Sequence, residues 1–112
     1  MTGVKDRVAL VTGAGSPDGI GFATAKLLHA AGARVAITST TDRIQERCEE
    51  LGGQEGGVVG IAADLTDATA VADLNAQVED TLGPVEILVN NAGMVQIGRD
   101  EPSALFHEVS DE

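Results

Sequence analysis

The sequence predicts an α/β fold built on a doubly wound parallel sheet. Four short apolar runs rich in β-branched residues recur at near-regular spacing, and stretches of helical periodicity separate them. A cluster of glycines stands directly after the first run, where such a sheet turns into its first helix.

Each element is justified by its own residues. The strands are expected at Val8 to Thr12, Val35 to Ser39, Val58 to Ala62 and Val85 to Asn90. In the first helix Ile20, Ala23, Leu27 and Ala30 are expected to share the buried face, with Gly32 as the stop. In the second, Ile44, Cys48 and Leu51 form the stripe; Asp42 and Gln45 are spaced as a capping pair, and Gly52 closes it. Val71, Leu74, Val78 and Leu82 give the clearest stripe, begun by Thr66 or Asp67 and closed by Gly83-Pro84. The order is β-α-β-α-β-α-β within one domain spanning residues 1–112, with right-handed crossovers. After Gly93 the pattern ends, and only Ala104 to Val109 has the spacing to begin another helix.

Composition narrows the function. Apolar residues make up 43% of the chain, but Phe22 and Phe106 are the only aromatics, so small aliphatic side chains fill the interior. The formal charge of −11 is uneven: residues 51–112 carry twelve acids against one base, Arg99. Such a surface disfavours a nucleic-acid partner and suits a solvated face. Cys48 is the only cysteine, which excludes an internal disulfide and a thiolate metal cluster; its helical spacing points to core packing. There is no long apolar span and no basic-then-apolar leader, so a cytoplasmic protein without membrane contact is expected.

The chemistry sits in the glycine loop. TGAGSPDGIG, Thr12 to Gly21, runs from the first strand into the first helix. A helix start presents unpaired N–H groups and a partial positive charge, both suited to a diphosphate. Glycines at 13, 15, 19 and 21 allow positive φ and remove the Cβ that would separate backbone from phosphate, while Ser16 adds a hydroxyl donor. At the end of the second strand, domains that prefer NAD place an acid for the ribose 2′-hydroxyl. Here Ser39, Thr40 and Thr41 are neutral and Arg43 follows, which favours the 2′-phosphate of NADP over NAD. Asp42 argues the other way, but its spacing to Gln45 fits a cap. Asp64, after the third strand, is placed either to accept from an adenine amino group or to start the next helix.

With TGAGSPDGIG, the Asp64-Leu65 pair and NNAG (Asn90 to Gly93) in place, the sequence resembles the short-chain dehydrogenase/reductase family over residues 4 to about 95. The resemblance implies a Rossmann-type fold and a nicotinamide dinucleotide, NADP or NAD. It implies that Gly13, Gly15, Ser16, Gly19 and Ile20 line the diphosphate and its ribose, and that Ser39 and Thr40 sit at the adenosine 2′ position. Asp64 and Leu65 are then adenine contacts. Asn91, Ala92 and Gly93 pass the cofactor with their backbone, and Asn90 braces the sheet. It further implies hydride transfer with a small-molecule carbonyl or alcohol, and a homo-oligomer.

Two features depart from the family pattern. The usual TGxxxGxG is here TGxxxxxGxG, widened by Pro17-Asp18. The spacing is similar to that of the enoyl-reductase-like branch, but that branch does not normally keep NNAG, so the resemblance is to a main-branch member with an enlarged phosphate loop. The family's Ser, Tyr and Lys are also missing: there is no tyrosine, and the only lysines are Lys5 and Lys26. His107, with Ser110 nearby, is the best acid–base substitute and suits a solvated surface better. No catalytic residue is therefore assigned, and the chain is expected to be inactive alone. Met94 to Gly98 is the one stretch placed to touch substrate. The implied strand order is 3-2-1-4 in an incomplete, N-terminal half of a larger domain, leaving Ile87-Leu88-Val89 on an open edge.

Overall fold

Parallel β-ladders form where β-branched runs can be buried on both faces, and this chain supplies four of them. The computed structural model describes residues 2–91. Expectations that fall on Ala92, Gly93, Met94 to Gly98, Ala104 to Val109, His107 and Ser110 lie outside those residues. The strands are β1 (Val8–Thr12), β2 (Arg34–Ser39), β3 (Val58–Ala62) and β4 (Ile87–Val89). They form one parallel sheet in the order β3-β2-β1-β4, as expected. Between them run α1 (Ile20–Ala30), α2 (Ile44–Glu50) and α3 (Ala68–Thr81).

Alternation along the strands divides the core into two layers. Ala9, Val11, Val35 and Ile37 pack with Ala25 and Leu28 of α1 and with Ile44 and Cys48 of α2. Val8, Leu10 and Ala36 face the other way, onto Leu74, Val78 and Leu82. Cys48 is buried as core, and desolvation by burial raises its thiol pKa.

The structure corrects three local expectations. The face of α1 that meets the sheet carries Gly21, Phe22, Ala25 and Leu28, while Ile20 and Leu27 are 62% and 64% exposed. The cause is Gly21: a Cβ there would stand 2.4 Å from the Gly13 carbonyl oxygen, so this position must face the loop and fixes the helix rotation. An Ala-rich helix offers two apolar faces, and the close approach selects between them.

The Asp42–Gln45 capping pair does not form. Arg43, already in the right-handed helical region, starts α2 without a side-chain cap, and the Gln45 amide donates to the Gly60 carbonyl at 2.8 Å. The third correction is the length of β4. Val85 and Asn90 lie outside the strand; Glu86 pairs with Val8 by donating its amide to the Val8 carbonyl at 2.9 Å. By contrast α3 begins as expected, at Asp67, whose carboxylate accepts from the amides of Thr69 and Ala70. Gly83, with φ of +115°, closes it by donating to the Val78 and Glu79 carbonyls.

Candidate functional site

The C-terminal ends of β1, β2, β3 and β4 face the same way, and the segments leaving them meet there. Where a sheet's winding reverses, between β1 and β4 here, the outgoing loops diverge and leave a crevice. A cavity of about 620 Å³ occupies it, within the range of small-molecule and cofactor sites. The glycine loop lines it with Gly13, Gly15, Ser16, Gly19 and Ile20; the end of β2 supplies Ser39, Thr40 and Arg43. The segment after β3 adds Asp64 and Leu65, and Asn91 closes the β4 side. Ten of the twelve residues expected from the sequence thus meet at one cavity; the other two, Ala92 and Gly93, lie outside the described residues.

The loop's shape follows from a few contacts. Gly13 has φ of +67°, a conformation that favours glycine. The Ala14 amide donates to the Thr38 carbonyl at 3.0 Å and anchors the loop to β2. A Cβ on Gly15 would come within 2.8 Å of the Ser39 Cβ and 3.1 Å of the Arg43 Nε, so the bare backbone lets the arginine lie across the loop. Ser16 to Gly19 is a turn, with the Gly19 amide on the Ser16 carbonyl at 3.1 Å. Pro17-Asp18 is the exposed tip of that turn, which accounts for the widened spacing. Among the described residues nothing accepts from the amides of Gly15, Ser16 or Ile20. Those donors stand free at the cavity wall.

Sequence reasoning missed how the loop is tied to β4. The Thr12 hydroxyl accepts from the Asn91 amide at 2.9 Å and lies 3.1 Å from the Asn90 Oδ1, to which it can donate. The Asn91 Nδ2 donates to the Gly13 carbonyl at 3.3 Å. Asn90 therefore braces the sheet, and the Asn91 side chain braces the glycine loop. The partners lie more than seventy residues apart, beyond the reach of any local pattern.

The adenosine end is more specific. The Ser39 hydroxyl is turned onto its own strand end, donating to the Thr41 carbonyl at 3.0 Å. Thr40 and Arg43 are left as the exposed donors beside it. Asp64 closes a tight turn in which its Oδ1 accepts from the Thr66 hydroxyl at 2.6 Å and the Thr66 amide at 2.9 Å. The hydroxyl, then the amide, hold its carboxyl below the usual value of 3.8. One Asp64 oxygen thus shapes the lead into α3, the second of its two expected roles, and the residue also lines the cavity.

This constellation agrees with the comparisons. The family model described as short chain dehydrogenase matches residues 7–112. The chain belongs to the short-chain dehydrogenase family. It is 37% identical over 115 residues to a short chain dehydrogenase of Pseudocercospora fijiensis, covering 96% of this chain and 37% of that one. A short chain dehydrogenase structure from Mycobacterium smegmatis superposes with a TM-score of 0.74 at 33% identity, over 81% of this chain and 38% of that one. A variant of actinorhodin polyketide ketoreductase with NADPH gives 0.69 at 33% identity, over 79% and 34%. The chain thus spans less than two-fifths of the length of each of these family members.

Proposed function

We propose that the cavity holds NADP(H), with NAD(H) as the weaker ligand, and that the chain is the cofactor-binding half of an oxidoreductase acting on a small-molecule carbonyl or alcohol. The observation that carries this reading is the convergence of free loop amides, the bare Gly15 backbone and Arg43 on one cavity. When bound, the nicotinamide donates or accepts the hydride. Gly15, Ser16 and the start of α1 bind the diphosphate, the dipole of that helix favouring its charge. Thr40 and Arg43 take the 2′-phosphate, and Asp42 is not among the residues that line the cavity. Asp64 and Leu65 border the adenine, and Asn91, Ala92 and Gly93 pass the rest of the cofactor. A cytoplasmic setting and a homo-oligomer belong to the same reading. Among the described residues no helix is long and apolar enough to cross a membrane.

A second reading, a dinucleotide-binding module without chemistry of its own, rests on one observation. The sequence has no tyrosine, and neither lysine lines the cavity: Lys5 pairs with Asp6 and Lys26 lies over the Phe22 ring. The two readings agree that this chain alone binds cofactor without turning it over.

Titration of the purified protein with NADPH and NADH tests the assignment. The protein has no tryptophan, so the readout is the fluorescence of the cofactor itself. NADPH is expected to bind more tightly. Arg43→Ala should weaken NADPH by about 1.5–3 kcal/mol, the usual loss for a hydrogen bond to a charged group, and leave NADH nearly unchanged. Equal affinities for the two cofactors, or equal losses on substitution, would overturn the NADP assignment. NADPH consumption with a carbonyl panel should stay at the protein-free rate.

A further inference from the structure

Arg43 lines the cavity, and its guanidinium makes no ion pair among the described residues. A carboxylate nevertheless stands within its reach. Glu46 follows three residues later, its amide on the Arg43 carbonyl at 3.0 Å, and at that spacing a glutamate and an arginine meet on one helix face. The Glu46 carboxylate is instead taken by Arg47, whose Nη2 donates to the Glu46 Oε1 at 3.3 Å and to the Glu50 Oε2 at 2.8 Å. Arg47 is buried, its guanidinium lies 5.7 Å from the Phe22 ring, and its Nε has no partner among the described residues. A buried guanidinium short of partners holds its carboxylates harder than one in water, where an ion pair is worth little.

We propose that Arg47 is a positioning residue for cofactor choice: by holding Glu46 it keeps Arg43 unpaired, and so leaves the Arg43 charge for the dinucleotide's 2′-phosphate. This rests on the cofactor-binding reading above. Arg47 does not itself line the cavity. It acts from one helical turn away, with its amide on the Arg43 carbonyl at 3.4 Å. The Glu46 side chain is 74% exposed, so it is free to turn to Arg43 once Arg47 no longer draws it. That pair would offset the cation that NADPH meets. NADH has no 2′-phosphate and would not register the change.

Arg47→Met, Glu46→Gln and the double variant test this by cofactor-fluorescence titration. Arg47→Met should bind NADPH about two- to fivefold more weakly than the parent, the scale of one exposed ion pair, with NADH unchanged. Glu46→Gln alone should leave both cofactors unchanged, whereas in the Arg47→Met background it should restore NADPH to the parent affinity. An apolar side chain in place of a buried charge is often tolerated, and far-UV circular dichroism checks folding. If Arg47→Met does not fold, Arg47→Leu takes its place with the same expectations. NADPH binding unmoved by Arg47→Met, an equal loss for NADH, or a loss that Glu46→Gln does not restore would overturn the proposal while leaving the cofactor assignment standing. So would an equal gain from Glu46→Gln in both backgrounds, which would mean that its charge acts at a distance. A parent protein that does not prefer NADPH would overturn both.

Discussion

Single atoms decide the geometry of this site. At Gly21 the missing Cβ lets α1 sit against the loop: an added carbon would stand 2.4 Å from the Gly13 oxygen and 2.9 Å from the Asn91 Nδ2. The first neighbour is backbone and cannot swing away. Overpacking of this kind costs about 1–3 kcal/mol, more than the roughly 1 kcal/mol that alanine gains over glycine in a helix. Gly21→Ala should therefore lower stability in urea unfolding and weaken cofactor binding, because the Gly13 carbonyl and the Asn91 amide must move apart. Gly3, with nothing within 4 Å of an added Cβ, is the control, and Gly3→Ala should stay within about 0.5 kcal/mol of the parent. Equal responses at the two positions would show that the close approach does not hold α1 in place.

Helices show which residues carried readable information. Asp67 was legible because a cap is a local device, completed by amides two and three residues on. The glycine loop was legible because glycine after a strand and before a helix has few other uses. The face of α1 was not legible, since alanines line it on several sides and its rotation is set by Gly13 and Asn91. Nor was the burial of Arg47, whose guanidinium lies 5.7 Å from the Phe22 ring and pairs with Glu50 at 2.8 Å. Asp42 and Asp67 look alike in sequence, yet only Asp67 caps a helix. Asp67→Ala should cost about 1 kcal/mol, within the usual 0.5–2 kcal/mol for a lost cap. Asp42→Ala should fall within about 0.5 kcal/mol of zero. Urea midpoints of the two variants check this, and a larger loss at Asp42 would restore the capping pair that the structure lacks.

Over the whole molecule, the two edges of the sheet are finished differently. On β3 the even-numbered residues point away from β2, since the bonds to β2 use Gly57 and Ala63. Three of those outward groups are covered: the Val58 amide donates to the Gly53 carbonyl, the Val58 carbonyl takes the Cys48 thiol, and the Gly60 carbonyl takes the Gln45 side-chain amide. The Arg34 amide on the Arg7 carbonyl shows that the odd-numbered residues of β1 bond to β2, so its even-numbered residues face β4. In the Leu10–Leu88 register, Leu88 then turns its backbone groups outward. Among the described residues nothing meets the outward groups of Leu88, and all three β4 side chains are half-buried. A free edge invites further pairing. Amide exchange followed residue by residue distinguishes the edges, because protection follows hydrogen bonding and local stability. Val58 should be protected although it lies on an edge, and so should Ile87 and Val89, which face β1. Leu88, between them, should exchange at close to solvent rates. Strong protection at Leu88 would mean that chain outside residues 2–91, or a second molecule, already pairs with β4 in solution.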